Sequence, residues 1–123
     1  MLGSQRIMAF VATRQPEAAK VFYGQTLGLK MLSEDPFALV FDAGGTMLRV
    51  QKVAELSPAR HTALGWQVED IARTAQQLQA AGVSLARFPG MEQDELGVWT
   101  APGGARVAWF QDPDGNTLSL TQF

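Results

Sequence analysis

Apolar residues are concentrated in four short segments of the first half of the chain, with polar turns separating the last three, which is the pattern of strands. The segments are residues 7–12, 29–32, 37–41 and 46–51. Between the first two, Ala18, Val21 and Phe22 recur at helical spacing, and Pro16 suits the first turn of a helix. We therefore predict the order β-α-β-β-β for this half.

The second half shows the same alternation of strand-like and helix-like segments. Ile71, Ala75 and Leu78 share one helical face, which begins after Asp70 and ends at Gly82. Strands are predicted for residues 63–68, 83–88, 105–111 and 117–122, with 98–100 as a shorter candidate. This half therefore repeats the β-α-β-β-β order.

Sequence similarity between the halves indicates a duplication. Residues 45–50 match residues 115–120, and 27–29 match 81–83. A polar connection at 52–60 separates the two copies. We predict a single domain, 1–123, built from one module at about 5–53 and another at about 61–123.

Composition narrows the chemistry. The 123 residues are 46% hydrophobic and carry a net charge of −2, which predicts a globular domain that does not bind nucleic acid. The chain has no cysteine and one histidine, so disulfides, thiol nucleophiles and sites with several imidazoles are excluded. We find no signal-peptide pattern and no long apolar run, and we expect a cytoplasmic protein that is not in the membrane.

Three motifs occur in a familiar order. They are Phe22-Tyr23 ahead of Leu27-Gly28-Leu29, then Val68-Glu69-Asp70-Ile71, and then residues 112–118, which read DPDGNTL. Together they resemble the glyoxalase/bleomycin-resistance/extradiol-dioxygenase family, the vicinal oxygen chelate superfamily. The resemblance implies an α+β fold of two tandem βαβββ modules, with curved mixed sheets around a cavity and helices on the outer face. It also implies a homodimer.

Metal-dependent members of this superfamily place one ligand on the first and last strand of each module. The motifs align those four positions with Met8, Arg49, Ala63 and Ser119. None is a usual ligand for a catalytic divalent ion, and the Arg49 guanidinium would repel a cation. His61, two residues before Ala63, is more consistent with an exposed side chain than with a ligand. We therefore predict no metal, no other cofactor and no assigned catalytic residue.

A cavity between such sheets would be apolar and aromatic, with a few polar groups. The predicted ligand-binding residues are Met8, Phe10, Phe41, Met47, Arg49, Gln51, His61, Trp99, Val107, Trp109 and Ser119. Phe41 and Trp99 are expected as wall or lid, and Trp66 as core. For Arg49 three interpretations stay open: a pair with a nearby carboxylate, an exposed face, or a clamp for an anionic ligand. The oxygen-rich residues 112–116 are interpreted as a turn, because a calcium loop requires a longer pattern.

Three functions are consistent with these residues. The first is a protein that binds a small anionic or aromatic molecule in a metal-free cavity. The second is a metal-independent lyase or isomerase in which Arg49 is the electrostatic clamp and His61 or Tyr23 the acid/base. The third is a structural or regulatory dimer with a vestigial cavity.

Overall fold

The computed structural model describes residues 1–123 and contains two four-stranded mixed sheets and two α-helices. This confirms the predicted α+β fold of two tandem modules. The chain divides into unit 1, Met1–Ser57, and unit 2, Pro58–Phe123, and the division falls inside the predicted connection at 52–60. Neither helix is long and apolar enough to cross a membrane.

Unit 1 contains four strands and one helix, and its sheet has the order β1-β4-β3-β2. The elements are β1 (Met8–Thr13), α1 (Pro16–Val21), β2 (Lys30–Glu34), β3 (Ala38–Ala43) and β4 (Thr46–Lys52). β1 and β4 are parallel, whereas β4, β3 and β2 pair antiparallel. α1 continues as a π-helical turn, Phe22–Thr26, and the chain leaves it at Gly28, whose φ of 78° favours glycine.

The core of unit 1 lies between this helical segment and one face of the sheet. Leu39 pairs with Val50 and Phe41 pairs with Leu48, and all four side chains are completely buried. The Tyr23 ring, also fully buried, lies 6.1 Å from the Phe41 ring between centroids. Burial of these apolar groups is the main source of stability for the unit.

A charged network ties the helix to the sheet at the surface of unit 1. Glu34 accepts from the Lys20 Nζ at 2.7 Å and from the Lys52 Nζ at 2.8 Å, so one carboxylate links α1, β2 and β4. Hydrogen bonds from Lys20 and then Lys52 lower the pKa of Glu34 below 4.5, and the bond to Glu34 raises the pKa of Lys20.

Unit 2 repeats this topology, with the strand order β5-β8-β7-β6. Its elements are β5 (Thr62–Gln67), α2 (Ile71–Ala80), β6 (Trp99–Thr100), β7 (Arg106–Gln111) and β8 (Thr117–Gln122). As predicted, α2 begins after Asp70, whose side chain accepts from the Arg73 backbone N–H at 3.1 Å. α2 packs on β7 and β8, and Trp66 stacks on the buried Phe110 with centroids 6.3 Å apart.

The strand predicted at 83–88 is wrong, since the chain forms no strand there and β6 takes the corresponding edge of the sheet. Only the Ala86 N–H reaches the neighbouring β7, where it donates to the Trp109 carbonyl at 2.7 Å. The Gln93 side-chain amide donates to the carbonyls of Ala86 at 2.8 Å and Gly97 at 2.9 Å. Local side-chain hydrogen bonds therefore satisfy backbone groups that a strand would pair with a neighbour.

Candidate functional site

In unit 2, the sheet face opposite α2 carries four of the predicted ligand-binding residues. In the strand register Trp109 is opposite Ser119 and Trp99 is opposite Val107. Since Val107 and Trp109 are two residues apart on β7, all four side chains point to the same face. The register therefore brings these four predicted ligand-binding residues together on one face.

Three rings on this face form an aromatic cluster, which we define as Phe88, Trp99 and Trp109. Trp99 and Trp109 have centroids 6.1 Å apart, and Phe88 packs edge-on against Trp109 at 5.4 Å. The Trp109 indole N–H donates to the Thr62 hydroxyl at 3.2 Å, which fixes the ring orientation. Sequence analysis missed Phe88 by assigning it to a strand, although the Pro89-Gly90 pair after it is typical of a loop.

A recess of about 540 Å³ adjoins the cluster and is called the aromatic recess below. It is lined by Phe88, Pro89, Gly90, Met91, Glu92 and Trp99. The recess is shallow and open to solvent, and two of the three cluster rings form part of its wall.

Asp94 organises the loop that lines this recess and leads into β6. One of its carboxylate oxygens accepts from the backbone N–H groups of Leu96 and Val98, each at 2.9 Å. The other oxygen lies 3.7 Å from the Arg106 guanidinium on β7. These contacts hold the residue before Trp99 and thereby position its ring.

Ser119 lies on the same face, closely packed against Gly65 of the neighbouring strand. It is 7% exposed and pairs with Gly65, where an added Cβ would stand 2.6 Å from the Ser119 Oγ. Only glycine leaves room for the hydroxyl in this rotamer. The single histidine of the chain makes no hydrogen bond to it, so Ser119 lacks the base that an activated nucleophile requires.

In unit 1, five predicted residues share the face opposite the helical segment. Met8 pairs with Met47 and Phe10 pairs with Arg49, and the alternation along β4 adds the exposed Gln51. Met8, Phe10 and Met47 are 45%, 48% and 38% exposed, so this is an open apolar surface. Met8 and Met47 also line a recess of about 690 Å³ together with residues 4–7, Leu32, Asp42 and Gly45.

Arg49 stands at the centre of β4, with its guanidinium 4.0 Å from an Asp35 carboxylate oxygen. The backbone N–H of Phe37, and then that of Ala38, donates to Asp35 and lowers the pKa of that carboxyl, with a smaller contribution from the Arg49 charge. The Arg49 side chain stays 28% exposed. It is therefore loosely paired and can still reach an anion.

Two residues, Phe41 and Tyr23, are not placed as the sequence suggested. Phe41 is completely buried and packs on Tyr23, so it belongs to the core and is neither wall nor lid. The cause is its register, which sets it opposite the buried Leu48. Tyr23 is also completely buried, and its hydroxyl cannot act as an acid or base on a ligand. His61, in contrast, is exposed as the sequence favoured, and it immediately precedes β5.

The residues at the expected metal positions do not form a ligand set. Met8, Arg49, Ala63 and Ser119 offer one thioether, one cation, one methyl group and one hydroxyl. Nowhere in the chain do three His, Cys, Asp or Glu side chains come together as a metal site would need. The donors therefore do not fit a catalytic divalent ion.

Comparison with known proteins gives a consistent result. The family model described as "Glyoxalase/Bleomycin resistance protein/Dioxygenase superfamily" matches residues 5–120. A superfamily member from Sphaerobacter thermophilus has a similar structure, with 24% identity, a TM-score of 0.75 and coverage of 100% of both chains. A lactoylglutathione lyase from Agrobacterium tumefaciens is 18% identical, with a TM-score of 0.74 and coverage of 98% of this chain and 95% of that one. A glyoxalase family protein from Enterococcus faecalis is 21% identical, with a TM-score of 0.70 and coverage of 98% and 99%. At these identities the likeness concerns the fold alone, and the comparison with curated proteins gave no match.

Proposed function

The chain belongs to the glyoxalase/bleomycin resistance protein/dioxygenase superfamily, and we propose that it binds a small aromatic or anionic molecule without using a metal ion. The observation that carries this proposal is the aromatic cluster of Phe88, Trp99 and Trp109 beside the recess of about 540 Å³. Rings held at such distances give a flat ligand a stacking surface at little entropic cost.

The metal-free part of the proposal rests on the donor set. Arg49 and Ser119 occupy equivalent positions, each four residues after the glycine of its module, Gly45 or Gly115. A guanidinium at one of these positions disfavours a cation, and a lone hydroxyl at the other is a weak ligand. Elemental analysis of the purified protein is the direct check, and stoichiometric nickel, zinc, manganese or iron would contradict this part.

The second candidate is a metal-independent lyase or isomerase that uses Arg49 as an electrostatic clamp. It is favoured by the partly exposed guanidinium, which Asp35 approaches only to 4.0 Å. It is weakened by the burial of Tyr23, which removes one of the two proposed acid/base groups. Arg49→Ala should abolish turnover under this hypothesis, whereas a ligand bound in the aromatic recess should be unaffected.

Intrinsic tryptophan emission provides the binding test. Aromatic compounds, dicarbonyls and small organic acids are titrated into the protein, and product formation is followed by proton NMR in the same samples. A ligand of the aromatic recess should quench the emission, and Trp99→Ala should weaken its binding by at least about tenfold through loss of one stacking partner.

Trp66→Phe is the matched control, because Trp66 stacks on Phe110 on the helix side of the same sheet. It should leave the dissociation constant unchanged. Binding that survives Trp99→Ala at full strength would refute the aromatic recess as the site. Conversion of a bound compound would favour the enzyme hypothesis instead of binding alone.

A further inference from the structure

A second recess, of about 300 Å³, lies in unit 2 at the end of the sheet where β7 turns into β8. We call it the Arg60 recess. Phe88 is its one wall residue shared with the aromatic recess, and neither Trp99 nor Glu92 lines it. Its volume is at the lower end of the range for ligand sites, so it suits a small compound.

The apolar walls of the Arg60 recess are held in place by their packing. Phe110 is 1% exposed and stacks on Trp66, while Phe88 is fixed edge-on against Trp109. Pro58 lies so close to the turn that its Cγ would stand 3.5 Å from a Cβ at position 115. Gly115 has a φ of 86°, which the turn requires. The walls therefore exist before a ligand arrives.

Arg60 is the only charged side chain among the lining residues, and no carboxylate in the chain lies within ion-pair distance of it. The adjoining turn carries two acidic residues, the 6% exposed Asp112 and the partly exposed Asp114, and neither forms an ion pair with Arg60. The Asp112 oxygens already accept from Asp114 and Asn116. The recess thus offers one uncompensated positive charge.

Neutral hydrogen-bonding groups complete the lining. Gln111 is exposed and Thr117 is partly exposed, and the two residues are direct cross-strand partners at the edge of the recess. A guanidinium presents parallel N–H groups that match the two oxygens of a carboxylate. The single charge matches a monoanion better than a phosphate dianion.

We propose that the Arg60 recess binds a monocarboxylate with a short apolar or aromatic tail, the carboxylate on Arg60 and the tail against Phe88 and Pro58. This site is separate from the binding site proposed above and does not depend on it.

Benzoate is the probe, and the full-length protein is titrated with it while its proton–nitrogen NMR spectrum is recorded. Benzamide has the same shape without the charge. We expect benzoate to shift the Gln111 and Thr117 signals with a dissociation constant of about 1 mM or below, and benzamide to bind at least about tenfold more weakly.

Variants separate the two recesses. Arg60→Gln should weaken benzoate by at least about tenfold, whereas Arg73→Gln, an exposed arginine on α2 that lines neither recess, should not change it. Trp99→Ala should leave benzoate binding intact even if it abolishes binding in the aromatic recess. Equal binding of benzamide, full binding by Arg60→Gln, or shifts confined to other residues would overturn the proposal.

Discussion

The Asp112 carboxylate organises the turn between β7 and β8. One oxygen accepts from the backbone N–H groups of Asp114 at 2.9 Å and Asn116 at 3.0 Å, and the other accepts from the Asn116 side-chain amide at 2.8 Å. Both Asp112 and Asn116 are 6% exposed. Because protein donors occupy the oxygens, these contacts support the interpretation of residues 112–116 as a turn instead of a calcium site.

Asp112→Asn keeps the shape of this residue and replaces one acceptor by a donor. In one orientation its new NH₂ group faces the Asn116 amide, and in the other it faces the two backbone N–H groups. Either way at least one buried donor loses its partner, at a cost of about 1–3 kcal/mol. We expect the free energy of unfolding of unit 2 to fall by that amount.

Urea titration followed by tryptophan emission measures this quantity, since all three tryptophans, Trp66, Trp99 and Trp109, lie in unit 2. The exchanged pair Asp112→Asn with Asn116→Asp restores a donor opposite an acceptor and should recover much of the loss. Asp70→Asn is the control, because asparagine caps a helix as well as aspartate. The reasoning fails if Asp112→Asn unfolds within about 0.5 kcal/mol of the parent protein.

The remaining predictions concern the Glu34 network of unit 1, the Gly65–Ser119 contact of unit 2 and the predicted homodimer. Hydrogen bonds from Lys20 and then Lys52 hold the pKa of Glu34 below 4.5, so the folding stability that they contribute is present above pH 4.5 and is lost as the pH falls below it. In acid titrations followed by circular dichroism, the Glu34→Gln variant should therefore lose less stability than the parent protein. Gly65→Ala forces the Ser119 hydroxyl out of its rotamer and should lower the free energy of unfolding by about 0.5–1.5 kcal/mol. In a Ser119→Ala background the same substitution should no longer shift the urea midpoint. An equal loss in both backgrounds would contradict the 2.6 Å distance between the added Cβ and the Ser119 Oγ. The homodimer is tested by light scattering at micromolar concentration, where a monomer mass would contradict it.

Most of the fold was predictable because the signals that set it are local. Period-two alternation located β4 and β8, the Asp70 cap and Gly82 bracketed α2, and the duplication gave the same element order in both halves. The arrangement of the strands as two mixed sheets was expected only from the family resemblance. The failure at 83–88 has a different origin. Those residues are apolar enough for a strand, but the nearby Gln93 side chain satisfies the Ala86 backbone carbonyl of this segment, and a hydrophobic pattern carries no signal for such a side-chain hydrogen bond.

Site residues were predictable where strand parity decides the face. Val107, Trp109 and Ser119 follow from parity, whereas the position of Trp99 depends on the pairing of β6 with β7 and was expected only as wall or lid. Phe41 was placed wrongly because its strand is apolar at four consecutive positions, so alternation does not indicate which face is buried. Its contact with Tyr23 is tertiary and could not be inferred from spacing.

The duplication shows how the two modules have diverged at equivalent positions. Arg49 of β4 and Ser119 of β8 each pair with the neighbouring parallel strand, at Phe10 and Gly65 respectively. In unit 1 the large, half-exposed Phe10 side chain lies beside Arg49, whose guanidinium is 4.0 Å from Asp35. In unit 2 the absence of a side chain at Gly65 makes room for the Ser119 hydroxyl. The large aromatic side chains of this face are Trp99 on β6, Trp109 on β7 and Phe88 in the loop before β6. Neither arrangement presents converging oxygen or nitrogen ligands, so neither of these equivalent positions offers a divalent ion a ligand set.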